Sequence, residues 1–221
     1  MILEGSEEEK LLEAIDNKNI KKVKSILKRS TKNKKILELN EKNKDGWYPL
    51  LWAIFNDNIE IVQLLLEYAN QHQIILDLNE NNKYGNYPLL EATSKNNIEI
   101  VQLLLEYANQ HQIILELNER DDFGYYPLDL AIYNNNIEIV QLLIEYANQH
   151  QIILELNEKN KYGYYPLYWA ITRNNIEIVQ LLIEYALQHQ IILEYEKEKI
   201  EYKPKIKKLL QNYEKRKKVN K

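Results

Sequence analysis

The sequence predicts an all-α solenoid. Helix-loop-helix units stack side by side, hairpin-type loops join them, and a helical cap closes each end. Three observations predict this. Pro49, Pro88, Pro127 and Pro166 stand 39 residues apart, and so do Gly46, Gly85, Gly124 and Gly163. Self-similarity at a fixed period of this size marks a repeat architecture. Within each period, two apolar stripes have helical spacing and an asparagine-rich break between them. The first 45 residues keep the same phase: Ala14 lies 39 before Ala53, and Leu37-Glu38-Leu39-Asn40 lies 39 before Leu76-Asp77-Leu78-Asn79.

Each element follows from its residues. Ser6-Glu7-Glu8-Glu9 is a capping box that opens the first helix. Leu11, Leu12, Ala14 and Ile15 form its inner face, and Ile20, Val23, Ile26 and Leu27 form that of the next helix. Lys21, Lys22, Lys24 and Lys28 make the outer side polar, as a terminal repeat requires. In the full units, proline at the first helical turn sacrifices no hydrogen bond. Leu128, Ala131 and Ile132 then line a short helix, and Asn134–Asn136 break it. Ile139, Val140, Leu143, Ile144 and Ala147 line a second helix. No Gly or Pro stops that helix at Tyr146, so it is expected to run into Asn148-Gln149-His150. Asn160-Lys161-Tyr162-Gly163 signals a turn whose glycine takes positive φ.

The core of each unit reads G-x-Y-P-L-x-x-A-x-x-x-[ND]-N-I-E-I-V-Q-L-L. It resembles the ankyrin repeat, G-x-T-P-L-H-x-A-A-x-x-G-H-x-x-I-V-x-x-L-L-x-x-G-A-D-V-N. The chain departs from that pattern in three places. Tyr48, Tyr87, Tyr126 and Tyr165 replace threonine, and Asp57, Asn96, Asn135 and Asn174 replace the inter-helix glycine. Six residues are inserted after Tyr-Ala, which makes units of 39 residues where the family has 33.

The boundaries follow. One ankyrin-like domain spans 1–221: a capping repeat over 1–42, full repeats over 43–81, 82–120, 121–159 and 160–198, and a capping helix with a basic tail over 199–221. Lys205 falls 39 after Pro166, so Ile206, Leu209 and Leu210 are expected to match Leu167, Ala170 and Ile171 of a first helix. The insert is expected to lengthen every second helix and thicken the convex side, without building a binding site. Its Ile75, Ile114, Ile153 and Ile192 are expected to meet their counterparts and extend the core.

Composition narrows the function. The absence of cysteine excludes a disulfide framework and thiolate metal sites. Met1-Ile-Leu-Glu-Gly is too short and too acidic for a signal peptide, and no apolar run approaches a membrane span. An intracellular, cytoplasmic and monomeric protein is expected, with nuclear residence as the variant. Residues 1–45 carry 12 Lys/Arg against 9 Asp/Glu, residues 46–195 carry 6 against 20, and residues 196–221 carry 11 against 4. The acidic middle disfavours nucleic acid along the body.

No P-loop, nucleophile elbow or H-E-x-x-H helix is present. No catalytic, cofactor or metal residue is therefore assigned, and no enzyme activity or small-molecule substrate is expected. His72, His111, His150 and His189 recur once per unit, and stacked helices about 8–10 Å apart hold such residues too far apart to share one ion. One structural solution repeated four times is the better reading.

Positions that vary on an invariant frame are the candidates for binding. Around the tip glycines these are Asp45, Trp47, Tyr84, Asn86, Phe123, Tyr125, Tyr162 and Tyr164. Near the end of the first helix they are Phe55, Lys95, Tyr133 and Arg173. In ankyrin-like stacks these places are the fingertips and the concave helix face, where protein partners bind. Tyr and Trp at such places suit binding hot spots. The repeated Tyr48, Tyr87, Tyr126 and Tyr165 read instead as a stabilising ladder. The resemblance thus implies a non-enzymatic scaffold that binds another protein. The alternatives are nucleic-acid or anionic-membrane binding through the basic tail, or a segment of a larger multidomain protein.

Overall fold

A computed structural model describes residues 5–219 of the chain; the leader reading of the first residues falls largely on 1–4, outside the described ones. The chain divides into two compact units, one ending at Glu116 and the other beginning at Leu117. The first unit holds α1 (Glu7–Asp16), α2 (Ile20–Lys32), α3 (Pro49–Phe55), α4 (Ile59–His72), α5 (Pro88–Ser94) and α6 (Ile98–His111). The second holds α7 (Pro127–Tyr133), α8 (Ile137–Gln149), α9 (Pro166–Thr172), α10 (Ile176–Gln188), a 3-10 turn (Lys197–Ile200) and α11 (Pro204–Val219). No strand occurs among the described residues.

Within each unit the short helices pack on short helices and the long ones on long ones. α3 lies against α1 and α5, α4 against α2 and α6, α9 against α7, and α10 against α8. The start signals are local. Ser6 Oγ accepts from Glu9 N–H at 3.1 Å, as the capping box predicts. Each long helix of the full units begins on an asparagine: Asn58, Asn97, Asn136 and Asn175 cap Ile61, Ile100, Ile139 and Ile178. The residue before each cap, Asp57, Asn96, Asn135 or Asn174, takes left-handed φ of 54–59° in place of glycine.

The long helices run past Tyr-Ala as expected, to His72, His111, Gln149 and Gln188. A left-handed glutamine follows: Gln73, Gln112, Gln151 and Gln190 all have φ of 57–58°. A Cβ is disfavoured there, so Gln112→Gly is expected to stabilise the fold by about 0.5–1 kcal/mol in urea melts.

After the glutamine the chain is extended, and this corrects the reading of the insert. Side chains alternate, so Leu76, Leu115, Leu154 and Leu193 point inward while Ile75, Ile114, Ile153 and Ile192 stay 52–54 % exposed. The leucines extend the core, and the isoleucines do not. An asparagine ladder fixes this register. Asn40 Nδ2 donates to Ile75 O at 2.7 Å, and its Oδ1 accepts from Asp77 N–H at 3.1 Å. Asn79 does the same for Ile114 and Glu116, Asn118 for Ile153 and Glu155, and Asn157 for Ile192 and Glu194. Each asparagine side chain thus serves as a peptide group between successive rungs.

Tyrosines complete the frame. Tyr48 is buried, and its hydroxyl lies 2.9 Å from both Asp77 O and Glu80 O in the next rung. Tyr87 and Tyr126 reach Glu116 O and Glu155 O in the same way. On the long helices, Tyr107 accepts from Leu76 N–H and donates to Ile74 O, and Tyr185 does so with Leu154 and Ile152. The last described helix departs from the expected phase. α11 packs on α10, not on α9, and Tyr213 accepts from Leu193 N–H and donates to Ile191 O. It takes the part of a long-helix tyrosine, while the 3-10 turn covers α9. A 16-residue helix can cover the long face of α10, whereas a first helix spans only seven residues.

Candidate interaction surface

Each tip is one turn folded around an Asx side chain. In the first unit Asn43 Oδ1 accepts from Asp45 N–H and Trp47 N–H, and Gly46 N–H returns to Asn43 O. Gly46 has φ +83°, and a Cβ there would stand 2.7 Å from Asn82 Cα. Neighbouring tips therefore approach closely, and they pair: Lys83 N–H donates to Asp45 O at 3.1 Å, and Lys161 N–H to Phe123 O at 3.0 Å. A side-chain ion pair, Lys83 Nζ to Asp45 Oδ1 at 2.6 Å, adds to the first of these.

In the first unit Trp47 and Phe55 gather with Trp52, and Lys95 lies over Phe55. Trp47 is the exception to the expected exposure. It is only 6 % exposed, wedged edge-on against Trp52 at 4.6 Å and against Phe55 at 5.0 Å. Its contribution is to hold the exposed Phe55 in place. Lys95 Nζ sits 4.4 Å from the Phe55 ring centre and 3.5 Å from Glu91. Glu91 is buried, and burial pushes its carboxyl up, partly offset by the Lys95 charge. Tyr84 is exposed beneath Lys83, and Asn86 is half-buried with its carbonyl closing the turn to Asn82.

In the second unit the expected residues fall mainly into one aromatic cluster. Tyr162 lies 6.3 Å from Tyr125 and 6.5 Å from Tyr164. Tyr164 stacks on Tyr168 at 4.5 Å and meets Trp169 edge-on at 4.7 Å. Tyr133 meets the same tryptophan at 4.9 Å, and the Arg173 guanidinium covers Tyr133 at 5.0 Å. Phe123 and Tyr162 are more than half exposed at their tips. Trp52, Tyr168 and Trp169 escaped the sequence reading. The criterion that picked the tips would have found them, because the two positions after Pro-Leu also change from rung to rung.

Beneath this cluster lies Asp129. It is fully buried, and neither carboxylate oxygen has a hydrogen-bond partner among the described residues. Burial pushes its carboxyl well above the usual range; Arg120 opposes the shift and Asp121 adds to it. The histidines pack along their own helices: His72, His111, His150 and His189 each lie on the tyrosine one turn earlier at 4.1–4.3 Å. His72 also meets Thr31 Oγ1, while His111 and His189 meet Asn70 and Asn148 Oδ1.

The model of the family described as ankyrin repeats (3 copies) matches residues 11–114 and 110–192. The chain belongs to the ankyrin-repeat family. No curated protein sequence matches it. Ankyrin repeats are protein–protein interaction modules, generally scaffolds without catalysis. No helix among the described residues of this ankyrin chain is long and apolar enough to cross a membrane. In α11, Lys217 pairs with Glu214 at 3.0 Å and Lys207 with Glu201 at 3.1 Å, while Lys215 and Arg216 are exposed. The side chain of Lys218 lies outside the described residues.

Proposed function

We propose that this ankyrin-repeat chain is a non-enzymatic scaffold that binds another protein through its tips and short helices. The observation that carries this is the division of labour in the rung. At the tips and along the short helices, residues repeated in every full unit are buried or bonded into the frame, as Tyr48 and Tyr87 are. Those that change, such as Phe55, Tyr84, Phe123, Tyr133 and Tyr162, keep rings at the surface. Exposed aromatic rings held by their neighbours suit contact hot spots, because little side-chain freedom is lost on binding. Asp45, Asn86, Lys95 and Arg173 supply polar contacts around them, and Tyr125 and Tyr164 supply further ring surface. Trp47 acts from below. The scaffold works inside the cell, in the cytoplasm or nucleus, as a monomer, with 1–42 and 199–221 as its end caps. The basic face of α11 is the lesser candidate surface.

Affinity capture with wild type and the F123A/Y133A/Y162A variant tests this. Loss of captured protein is expected, with circular dichroism unchanged. Equal recovery by the folded variant would contradict it.

A further inference from the structure

The exposed isoleucines have no part in the tip surface, and within the first unit they form a row. Ile36, Ile75 and Ile114 occupy the same register on three successive rungs and are 42–52 % exposed. Exposed isoleucine recurring at one place on a frame is costly in water, and repetition makes a row of apolar side chains, one per rung. By the same alternation, Glu38, Asp77 and Glu116 face outward two residues on, so a row of carboxylates borders the strip. Burial, and after it the Glu80 charge, push the Asp77 carboxyl up, and Lys42 offsets this only in part. Gln73 and Gln112 border the other side, replaced by Lys34 at the first rung. The second unit repeats the motif at Ile153 and Ile192, where Arg120 pairs with Glu155.

We propose that the Ile75–Ile114 strip docks a basic amphipathic helix of a partner protein. Its apolar side chains would lie on the isoleucines and its lysines or arginines along Glu38, Asp77 and Glu116. Three arguments select this occupant. Stacked rungs are about 8–10 Å apart, and a helix brings the same face round every seven residues, about 10.5 Å. An added β-strand is excluded, because this segment has no free edge. Ile74 O, Leu76 N–H, Ile75 O and Asp77 N–H are all engaged by Tyr107 and Asn40. A second copy of the strip, or an anionic lipid surface, would set like charges against the carboxylate row.

The probe is a labelled synthetic helix about three heptads long, with leucine at every seventh position and lysines along one flank. Anisotropy at about 0.05 M salt should show saturable binding that weakens as salt rises. I75S/I114S should weaken it by roughly tenfold or more, since two apolar contacts are lost. D77N/E116Q should flatten the salt dependence, and F123A/Y162A should leave binding unchanged. That last result separates the strip from the tip surface, whose failure would leave this binding intact. The proposal is overturned if no saturable binding occurs at low salt, or if I75S/I114S binds as wild type does. It is equally overturned if a helix with glutamates for lysines binds as tightly. Self-association or anionic-vesicle binding that I75S/I114S abolishes would assign the strip to a different occupant and overturn it too.

Discussion

Leu115→Ala is expected to lower the unfolding free energy by about 2–5 kcal/mol, whereas Ile114→Ala, one residue earlier, should lower it by under about 1 kcal/mol. The two residues belong to the same Ile-Ile-Leu run and differ by one position. Leu115 is 1 % exposed and Ile114 is 52 % exposed. Removing the buried side chain loses transfer energy and leaves a cavity in a packed rung. Removing the exposed one uncovers little that was dry. The extended conformation after Gln112 causes the difference, because successive side chains point to opposite sides. Urea melts of both variants decide it. Similar losses in the two would mean that the segment is not held in this register.

Asp129→Leu is expected to stabilise the fold by about 1–3 kcal/mol at neutral pH. The equivalent residues in the first unit are Leu51 and Leu90, both buried, so leucine is already accommodated at this place in the rung. Arg120 would not be stranded by the change. Its guanidinium is 2.8 Å from Glu155 and 3.8 Å from Glu158, and it lies 5.1 Å from the Tyr126 ring centre. The pH dependence has a definite sign. The carboxyl of Asp129 is raised in the fold, while an unfolded aspartate titrates near 4. Below about pH 4 both states hold the proton, and the residue costs least. As pH rises from there, the unfolded chain releases the proton and the folded chain keeps it, so stability falls. The gain from Asp129→Leu should therefore be larger at pH 7 than at pH 4, measured as the difference between urea melts at the two values. An equal gain at both would mean that Asp129 is ionised in the fold.

Much of the frame was legible in the sequence because its signals are local and repeated. Pro at the first turn, asparagines between the helices and glycine at the tip each act through their own backbone, so a 39-residue period displays them four times. The extension of the long helix to His72 and His111 followed from the lack of any breaker. The fate of Ile-Ile-Leu did not follow. A short apolar run reads alike as a helix end or as a buried strand, and only the left-handed Gln112 separates the two. The place of the last helix was misread for a related reason. Phase alone assigned α11 to a first helix, while its length and Tyr213 fit it to the long face of α10. Of the candidate site, the exposed rings were legible as variation on a fixed frame. The burial of Trp47 was not, since nothing local shows that Trp52 and Phe55 close over it.

Hydrogen exchange of the chain with and without its captured protein partner tests the central claim most directly. Slowed exchange is expected at the tips and short helices, over residues 82–95 in the first unit and 121–133 and 160–173 in the second. Protection confined to α11, with the tips exchanging as they do in the free chain, would contradict it.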